Sequence, residues 1–290
     1  MHLPNLPCYL NGEFLPLPEA RISPMDRGFL FGDGIYEAMP VYGRRIFRFD
    51  SHMDRLEHGL AKLRIESPLG RADWLAMARR LIEQGATENQ LVYLQVTRGV
   101  APRAHAMPTD IEPTVFAYAS LLAGVPEAER HHGATCVTAR DLRWEHCDIK
   151  SISLLGNVLA RQQAVDVGAA ETILLRDGFL TEASSANVWI VKEGALLGPP
   201  MSEHVLPGVR VGLLKELCEE CGIGYNLRPI SEAELFSADE VLLSSAGREV
   251  LPVTMLDHEA VGHGAMRGKP GPVYARLYEA YQKAKLAQSV

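Results

Sequence analysis

Segments with strand character and segments with helix character follow one another in blocks along this chain of 290 residues. The first half opens with "CYLNGEFLPL", in which the turn-forming pair Asn11-Gly12 separates two apolar runs, and "GIYEAMPVYGRRIFRF" repeats the pattern around Tyr42-Gly43. Both patterns predict a β-hairpin. Helical segments come next, and strand-like segments return after them. Because a doubly wound parallel sheet requires strict alternation of strands and helices, this order favours an α+β fold.

Apolar side chains at helical spacing predict the helices of the first half. One stripe runs through "DSHMDRLEHGLAKLRI" at Met53, Leu56, Leu60 and Leu63. Asp50 or Ser51 is available as the N-cap of this helix. A second helix is predicted from about Ala72 to Gln84, and two further strands are predicted in "LVYLQVTRG" and "TVFAYAS".

The polar stretch "LLAGVPEAERHHG" contains Gly124 and Pro126 and predicts a linker between two domains. We therefore expect an N-terminal domain over residues 1–122, a linker over 123–132 and a C-terminal domain over 133–290. In the C-terminal domain the patterns predict strands near 134–140, 171–177, 187–192, 239–244 and 250–256, and helices near 154–167, 209–221 and 271–287.

The overall composition is that of an ordinary soluble protein, with 47% hydrophobic and 22% charged residues. The net charge is −7 and no run of lysine and arginine occurs, which argues against nucleic acid or an anionic membrane as a partner. No stretch of about 18 apolar residues is present, and prolines and glutamates interrupt the beginning of the chain, where a signal peptide would need an apolar core. We therefore expect a cytoplasmic protein that acts on a small molecule.

The cysteines are odd in number and widely scattered, so no disulfide framework is expected among Cys8, Cys136, Cys147, Cys218 and Cys221. The pair Cys218-Glu-Glu-Cys221 has the spacing of half a zinc site or of a redox pair, which would make the chain a non-enzymatic metal or redox module. No second pair supplies the remaining ligands. The surrounding "VGLLKELCEECGIG" instead predicts an amphipathic helix ended by Gly222, and no metal site is predicted.

Lys150 lies where the chain enters an apolar segment, between Ile149 and Ser151-Ile152-Ser153-Leu154-Leu155. Removing a lysine from water lowers its pKa from about 10.4, by up to about 3–5 units at complete burial, and a neutral amine is a nucleophile. The alternative is a lysine that extends its charge to the solvent or pairs with Asp148 or Glu145. The neighbouring motifs decide between the two interpretations.

Four stretches, "DRGFLFGDGIYE", "HMDRLEHGLAKL", "CDIKSISLLGNVLA" and "TEASSANVW", resemble in order and spacing the class IV pyridoxal-phosphate aminotransferases. This family includes D-amino acid transaminases, branched-chain aminotransferases and aminodeoxychorismate lyases, and the chain is most similar to the first group. The resemblance extends from Asn11 to about Asp257. It implies the fold-type-IV architecture, with a smaller N-terminal α/β domain and a larger, β-barrel-like C-terminal domain with helices that carries the Schiff-base lysine. It also implies pyridoxal 5′-phosphate as the cofactor and a homodimer.

The resemblance implies the residues that hold the cofactor ring. Lys150 matches the lysine that forms the Schiff base with the cofactor and then moves the substrate proton. Glu182 of "TEASSAN" matches the carboxylate that keeps the pyridine nitrogen protonated, where the alternative is an ordinary glutamate in an exposed loop. Leu206 matches the apolar residue behind the ring. Arg143 matches an arginine near the phenolic oxygen in the D-specific relatives.

The resemblance also implies the groups around the cofactor phosphate. Arg55 and Ser185 match its arginine and hydroxyl ligands, although Arg55 could instead pair with charged neighbours on its own helix. The stretch "LPGVRV" matches a turn that opens a helix, with the N–H groups of Val209 and Arg210 directed at the phosphate.

Three positions depart from the near relatives, which usually carry hydroxyl side chains at Ala186, Arg210 and Ala246. We expect backbone N–H groups, including the one at Ala246, to bind the phosphate in place of the missing hydroxyls. The side chain of Arg210 or Arg248 could add positive charge. The affinity for the cofactor is therefore the property that these departures affect.

The PRAH loop (residues 102–105) is predicted to hold the substrate carboxylate. Alternation places Arg103 and His105 on the same side of an extended segment, and two donors suit one carboxylate. The resemblance implies that this pair binds the α-carboxylate in D-amino acid transaminases, that Tyr36 of "GIYE" completes the site, and that the loop reaches the active site of the partner subunit. The alternative is an exposed basic loop.

The sequence therefore predicts transfer of an amino group between D-amino acids, such as D-alanine, and 2-oxo acids, such as 2-oxoglutarate or pyruvate. The resemblance implies ping-pong kinetics through a Lys150 aldimine. Three alternatives with the same cofactor stay open: a branched-chain L-amino acid aminotransferase, an aminodeoxychorismate lyase, and an amine transaminase that accepts amines without a carboxylate.

Overall fold

The computed structural model describes residues 5–290, and these form two compact units. The first unit contains the chain up to Ala123 together with Ile149–Leu154 and Gln288–Val290, and the second contains Gly124–Asp148 and Leu155–Ala287. Each unit has its own sheet and its own apolar core. Among the described residues, no helix has the length and apolar character needed to span a membrane.

The first unit is built on an antiparallel sheet of six strands in the order β2-β1-β6-β5-β3-β4. The strands are β1 (Pro7–Leu10), β2 (Glu13–Pro16), β3 (Gly34–Tyr42), β4 (Arg45–Ile46), β5 (Gln90–Thr97) and β6 (Thr114–Leu121). The helices are α1 (Arg27–Phe31), α2 (Phe49–Leu63) and α3 (Arg71–Gln84). A short 3₁₀ helix follows β2 at Leu17–Glu19.

Alternation along the strands gives this sheet two different faces. Ile35, Met39 and Leu94 are buried and belong to one apolar cluster with the stripe of α2. Within that stripe Met53, Leu56 and Leu60 are buried and Leu63 is partly buried, as the helical spacing predicted. Tyr36 and its neighbours along the strands lie on the other face and are half-buried.

The first hairpin is confirmed, whereas the predicted cap of α2 is wrong. Asn11 and Gly12 have positive φ angles of 48° and 99° and connect β1 to β2. The helix α2 begins at Phe49 rather than after Asp50 or Ser51, and its N-cap is Arg48, which is left-handed (φ 54°) and makes no side-chain cap. Asp50 lies in the first turn, where its negative charge favours the positive end of the helix dipole.

The lysine segment, Ile149–Leu154, belongs to the first unit. It pairs with the beginning of β3, since the Tyr36 N–H donates to the Lys150 carbonyl at 3.0 Å and the Ile152 N–H donates to the Gly34 carbonyl at 3.0 Å. Ile149 packs against the core of the same unit. The predicted division had assigned this lysine to residues 133–290. Local patterns do not reveal the difference, because the pairing joins segments that are far apart in the chain.

The second unit is built on a mixed sheet that curls into a half-barrel, in the order β12-β11-β10-β13-β14-β7-β8-β9, with β15 paired to β14. The strands are β7 (Ala134–Arg140), β8 (Glu171–Arg176), β9 (Phe179–Ala183), β10 (Asn187–Lys192), β11 (Ala195–Gly198), β12 (Tyr225–Leu227), β13 (Glu240–Ser245), β14 (Glu249–Leu256) and β15 (Glu259–Ala260). The helices are α4 (Glu127–His132), α5 (Leu155–Asp166), α6 (Val209–Cys221), α7 (Glu232–Phe236) and α8 (Pro272–Ala287), and Gly264–Met266 form a 3₁₀ helix.

The strands and helices predicted for this half are observed within one residue of their expected ends, whereas β9, β11, β12, β15 and α7 were not predicted. Residues 127–132, which were expected to be linker, form α4. The predicted amphipathic helix at Cys218 and Cys221 is α6, and Gly222 ends it in the left-handed conformation. Within residues 5–290, no three His, Cys, Asp or Glu side chains are grouped so that they could hold a metal ion.

Candidate active site

Lys150 and Tyr36 lie together in the first unit. The backbone pairing of the lysine segment with β3 brings the two residues side by side, and the Lys150 Nζ lies 4.1 Å from the centroid of the Tyr36 ring. The lysine is half-buried. An amine over an aromatic face is held by a cation–π contact when it is charged, and it stays accessible for reaction.

Glu37, the residue after Tyr36, is fully buried and binds Arg55 and His52. Arg55 binds its carboxylate with two hydrogen bonds, from Nε at 2.7 Å and from Nη2 at 2.8 Å. His52 Nδ1 lies 2.7 Å from the same carboxylate. Burial alone would raise the pKa of Glu37, but Arg55 and His52 lower it more, so that the pKa lies well below its ordinary range.

Arg55 therefore binds Glu37, on a neighbouring strand. The role of Arg55 as a phosphate ligand stays a prediction. Sequence reasoning did not single out Glu37, although a signal was available. Alternation in "GIYEAMP" places this glutamate on the same face of β3 as the buried Ile35 and Met39. A glutamate on that face must find a cation.

Glu182 is the corresponding buried carboxylate of the second unit and lies near the end of β9. Its Oε2 accepts from the Leu206 N–H at 3.0 Å, and its Oε1 accepts from Arg143. Arg143 also binds Asp141, with 2.7 Å between Nη2 and Oδ2. Burial raises the pKa of Glu182 above its ordinary range, more than Arg143 and the Leu206 N–H lower it.

The structure thus brings together Glu182, Arg143 and Leu206, three residues singled out in the sequence. It also adds Asp141, which sequence reasoning missed. Asp141 is buried, and the Thr181 hydroxyl donates to it at 2.9 Å. Burial would raise the pKa of Asp141, but Arg143 lowers it below its ordinary range. Arg143 is therefore shared between two carboxylates, so it neutralises Glu182 only in part.

Ser185 lies in the turn between β9 and β10 and donates its hydroxyl to Glu171 Oε2 at 2.6 Å. The neighbouring Ser184 donates to the other oxygen of the same buried carboxylate. Arg248 Nη2 lies 3.8 Å from Glu171 Oε2 and donates to the Ala170 carbonyl at 2.6 Å. The proton of the Ser185 hydroxyl is therefore directed at Glu171. Sequence reasoning missed Glu171 because no local pattern distinguishes it.

The beginning of α6 has the form of an anion site. Gly208 is its N-cap and makes no side-chain cap, and Val209 and Arg210 are its first residues. A Cβ at Gly208 would clash with the Asn187 Oδ1, so a larger residue there would have to displace the Asn187 side chain. Asn187 in turn donates to the Leu206 carbonyl at 3.0 Å. The first N–H groups of a helix have no intrahelical acceptor and attract negative charge.

Ala186, Arg210 and Ala246 are the three positions at which the near relatives usually carry hydroxyl side chains. Arg210 is buried and donates Nε to the Tyr281 hydroxyl at 3.2 Å, so its guanidinium is directed toward α8. Ala186 is buried in the turn before β10, and Ala246 lies half-buried in the turn between β13 and β14. Any contribution of these positions to an anion site therefore comes from the backbone.

Arg103 and His105 lie on the same side of the PRAH loop, as alternation predicted. Both contact the ring of Phe31: the Arg103 Cζ lies 5.4 Å from its centroid, and the His105 ring lies 5.6 Å from it. Both residues are exposed. Two donors on one aromatic surface can converge on one carboxylate.

Comparison with known proteins identifies the family. The family model described as "Amino-transferase class IV" matches residues 34–256. A D-alanine aminotransferase of Bacillus licheniformis is 36% identical over 279 residues, which cover 96% of this chain and 97% of that protein. A D-alanine aminotransferase of Staphylococcus aureus (strain MSSA476) is 37% identical over 276 residues, covering 95% of this chain and 96% of that protein.

The fold agrees with that of a solved aminotransferase structure. A crystal structure of the branched-chain amino acid aminotransferase of Escherichia coli superimposes with a TM-score of 0.88, at 23% identity, and covers 97% of this chain and 94% of that chain. The predicted α+β, fold-type-IV class is therefore confirmed. The chain belongs to the class IV aminotransferases.

Proposed function

We propose that this protein transfers amino groups between D-amino acids, such as D-alanine, and 2-oxo acids, with pyridoxal 5′-phosphate as its cofactor. Two D-alanine aminotransferases at 36% and 37% identity over nearly the whole chain support the substrate class. The branched-chain alternative is supported by structural likeness at 23% identity, which reports the fold alone. The observation that carries the proposal is Glu182, a buried carboxylate whose charge the chain neutralises only in part.

The residues present fit this cofactor. A buried carboxylate with a raised pKa is ready to accept a cationic N–H, which a protonated pyridine ring supplies. The cradle of Gly208 and the first N–H groups of α6 suit a phosphate that needs no side-chain hydroxyl. Lys150 offers a half-buried amine. When bound, the cofactor supplies an aldehyde for the amine and an electron sink for the substrate α-carbon.

We assign each step of the reaction to a residue of this chain. Lys150 Nζ would hold the cofactor and, once the substrate amine has replaced it, would take the proton from the substrate α-carbon and return it to complete the transfer. Glu182 would hold a proton at the pyridine nitrogen. The Tyr36 ring, which contacts the Lys150 Nζ, would limit the movement of the lysine amine. Because the α-hydrogen must face the lysine, the position of the substrate carboxylate decides which enantiomer reacts.

The substrate carboxylate is held by Arg103 and His105 of the PRAH loop, together with Tyr36. The protein is a homodimer in which this loop contributes to the active site of the partner subunit. The surface around this loop supports a second copy as its partner. Large apolar side chains are exposed beside this loop in the chain, at Val100 and Met107, and in the stretch that contacts it, at Met25 and Phe29. An apolar patch of this kind on a globular protein marks an interface. The molecular mass in solution, measured by light scattering, tests the dimer.

The test of the function compares substrates on one preparation. D-alanine with 2-oxoglutarate, L-leucine with 2-oxoglutarate, aminodeoxychorismate alone and an amine without a carboxylate are each assayed with added pyridoxal 5′-phosphate. We expect turnover with D-alanine and little with the other three. Borohydride reduction should attach the cofactor to Lys150, and attachment to another lysine would contradict the assignment. A preference for L-leucine would establish the branched-chain alternative instead.

A further inference from the structure

We propose that Arg27 is a positioning residue that fixes the PRAH loop, so that Arg103 and His105 are presented together to the substrate carboxylate. This inference rests on the proposed function, which assigns the carboxylate to those two residues. Arg27 belongs to the stretch "DRGFLFGDG", to which the reaction itself assigns no role.

The contact between Arg27 and the loop is direct. The Arg27 side chain is only 4% exposed, and its Nη1 donates to the Ala104 carbonyl at 2.6 Å. Ala104 lies between Arg103 and His105, so this bond restrains the backbone on both sides of it. A hydrogen bond from a buried cation to a carbonyl is charge-assisted and stronger than a neutral one. The residues of the loop are exposed to solvent, and this bond attaches the loop backbone to a buried side chain.

Phe31 is the second contact between this stretch and the loop. The Arg27 Cζ lies 4.8 Å from the centroid of the Phe31 ring, which also contacts Arg103 and His105. Arg27 thus holds the backbone of the loop and supports the ring on which both side chains rest. Both contacts act on the same two donors, which makes them a single positioning device.

Only arginine can make these contacts at once. Arg27 Nε donates to Asp33 Oδ2 at 2.7 Å while Nη1 reaches the loop. Asp33 is also bound by Arg98, at 2.8 Å from Nε to Oδ2 and at 3.0 Å from Nη2 to Oδ1. Asp33 thus fixes the orientation of the Arg27 guanidinium. A lysine has one nitrogen and cannot bind Asp33 and the Ala104 carbonyl in the same geometry.

The same stretch is closely packed on the lysine segment. Gly32 has φ +67°, and a Cβ there would clash with the Ser153 Oγ. The Ser153 hydroxyl donates to the Gly32 carbonyl at 3.1 Å. The stretch that contacts the loop is therefore also attached to the segment that carries Lys150. A shift of this stretch would disturb the loop while the lysine keeps its own contacts with β3.

The test uses Arg27→Lys and the carboxylate propionate, which has no amino group and cannot react. The dissociation constant of propionate is measured on the cofactor-loaded enzyme by calorimetry, beside KM and kcat for D-alanine. We expect Arg27→Lys to raise the propionate dissociation constant and the KM about tenfold and to change kcat by less than about threefold. Unchanged propionate binding in a folded Arg27→Lys protein overturns the proposal.

Arg98→Lys is the matched control, because it alters the other arginine on Asp33 without touching the loop. We expect its propionate dissociation constant to stay within about twofold of the wild-type value. A loss as large as that of Arg27→Lys would mean that any change around Asp33 weakens propionate binding, whether or not it removes the bond between Arg27 and the loop. The proposal would then be wrong. If Arg27→Lys does not fold, Phe31→Leu decides. Weaker propionate binding in that variant supports the proposal, and unchanged binding overturns it.

Arg103→Ala separates this inference from the proposed function. If Arg103→Ala weakens propionate binding and Arg27→Lys does not, only the positioning role fails. If Arg103→Ala leaves propionate binding unchanged, the carboxylate site lies elsewhere and the proposed role of the PRAH loop fails with it. Loss in both variants, with a smaller loss in Arg27→Lys, is the result that we expect.

Discussion

Glu37 in the first unit and Glu182 in the second are both buried carboxylates that bind an arginine, yet their pKa values move in opposite directions. Glu37 receives two hydrogen bonds from Arg55 and one contact from His52. Glu182 receives one hydrogen bond from Arg143, which also binds Asp141, and one from a backbone N–H. The two carboxylates differ in how completely the chain neutralises them, because burial penalises their charge in both cases.

This difference distinguishes a structural ion pair from the cofactor-binding carboxylate that we propose. A carboxylate with a complete set of cationic donors gains nothing from another cation, whereas an incompletely neutralised one does. A raised pKa alone does not establish such a site. Burial also raises the pKa of Glu240, which accepts hydrogen bonds from the N–H groups of Val273 and Tyr274 at the beginning of α8. Glu182 is distinguished by sharing its arginine with a second carboxylate.

The largest effect is expected for Glu37→Gln, which removes the carboxylate from a complete pair. Arg55 and His52 would lose the buried carboxylate that they share, so we expect the free energy of unfolding to fall by about 3–5 kcal/mol. Chemical denaturation followed by circular dichroism measures it. Glu57→Gln is the control on α2, because Glu57 binds Arg71 at the surface and its loss should be far smaller. Equal losses in the two variants would show that Glu37 is not a structural pair.

Glu182→Gln should have the opposite pattern, with a large loss of activity and little loss of stability. A neutral amide cannot keep the pyridine nitrogen protonated, so we expect the transamination rate at saturating cofactor to fall about a hundredfold, which is about 2.7 kcal/mol of barrier. Glu240→Gln is the matched control in the same unit and should retain the wild-type rate. A Glu182→Gln rate within about threefold of wild type, under about 1 kcal/mol, would mean that Glu182 does not serve the cofactor.

The sequence predicted the elements that depend on local periodicity and missed the contacts that depend on distant segments. The stripe of α2 and the spans of β10 and α6 follow from spacing alone, as does the common side of Arg103 and His105. The pairing of Lys150 with β3 could not be predicted, because nothing in the lysine segment indicates which strand it will meet. The direction of the Arg210 side chain depends on Tyr281, in a helix that lies much later in the chain.

The site residues show the same limit. The resemblance identified Glu182 and Arg143, but it could not show that Arg143 is shared with Asp141. It assigned Ser185 to a phosphate, which stays a prediction, and it could not show that the Ser185 hydroxyl also donates to Glu171. Hydrogen-bond partners of buried polar groups are chosen among all groups that the fold brings near, so a motif names a residue without naming its partner.

The smallest and most specific effect is the pH dependence of stability in the cofactor-free protein. The pKa of Glu37 lies below its ordinary value of 4.5, so this group stabilises the fold above that pH and the contribution is lost as the pH falls. The pKa of Glu182 lies above the same ordinary value, so its contribution is present below pH 4.5 and is lost as the pH rises through the folded-state pKa.

Subtracting the unfolding free energy of each Gln variant from that of wild type isolates the contribution of each carboxyl group to stability. The difference should increase with pH for Glu37→Gln and decrease with pH for Glu182→Gln, by at most about 1.4 kcal/mol per pH unit. Adding pyridoxal 5′-phosphate should abolish or reverse the slope for Glu182 and leave the slope for Glu37, since only Glu182 acquires a new cationic partner. Slopes of the same sign in the cofactor-free protein, or a Glu182 difference that still decreases with pH when the cofactor is bound, would contradict the distinction between the two carboxylates.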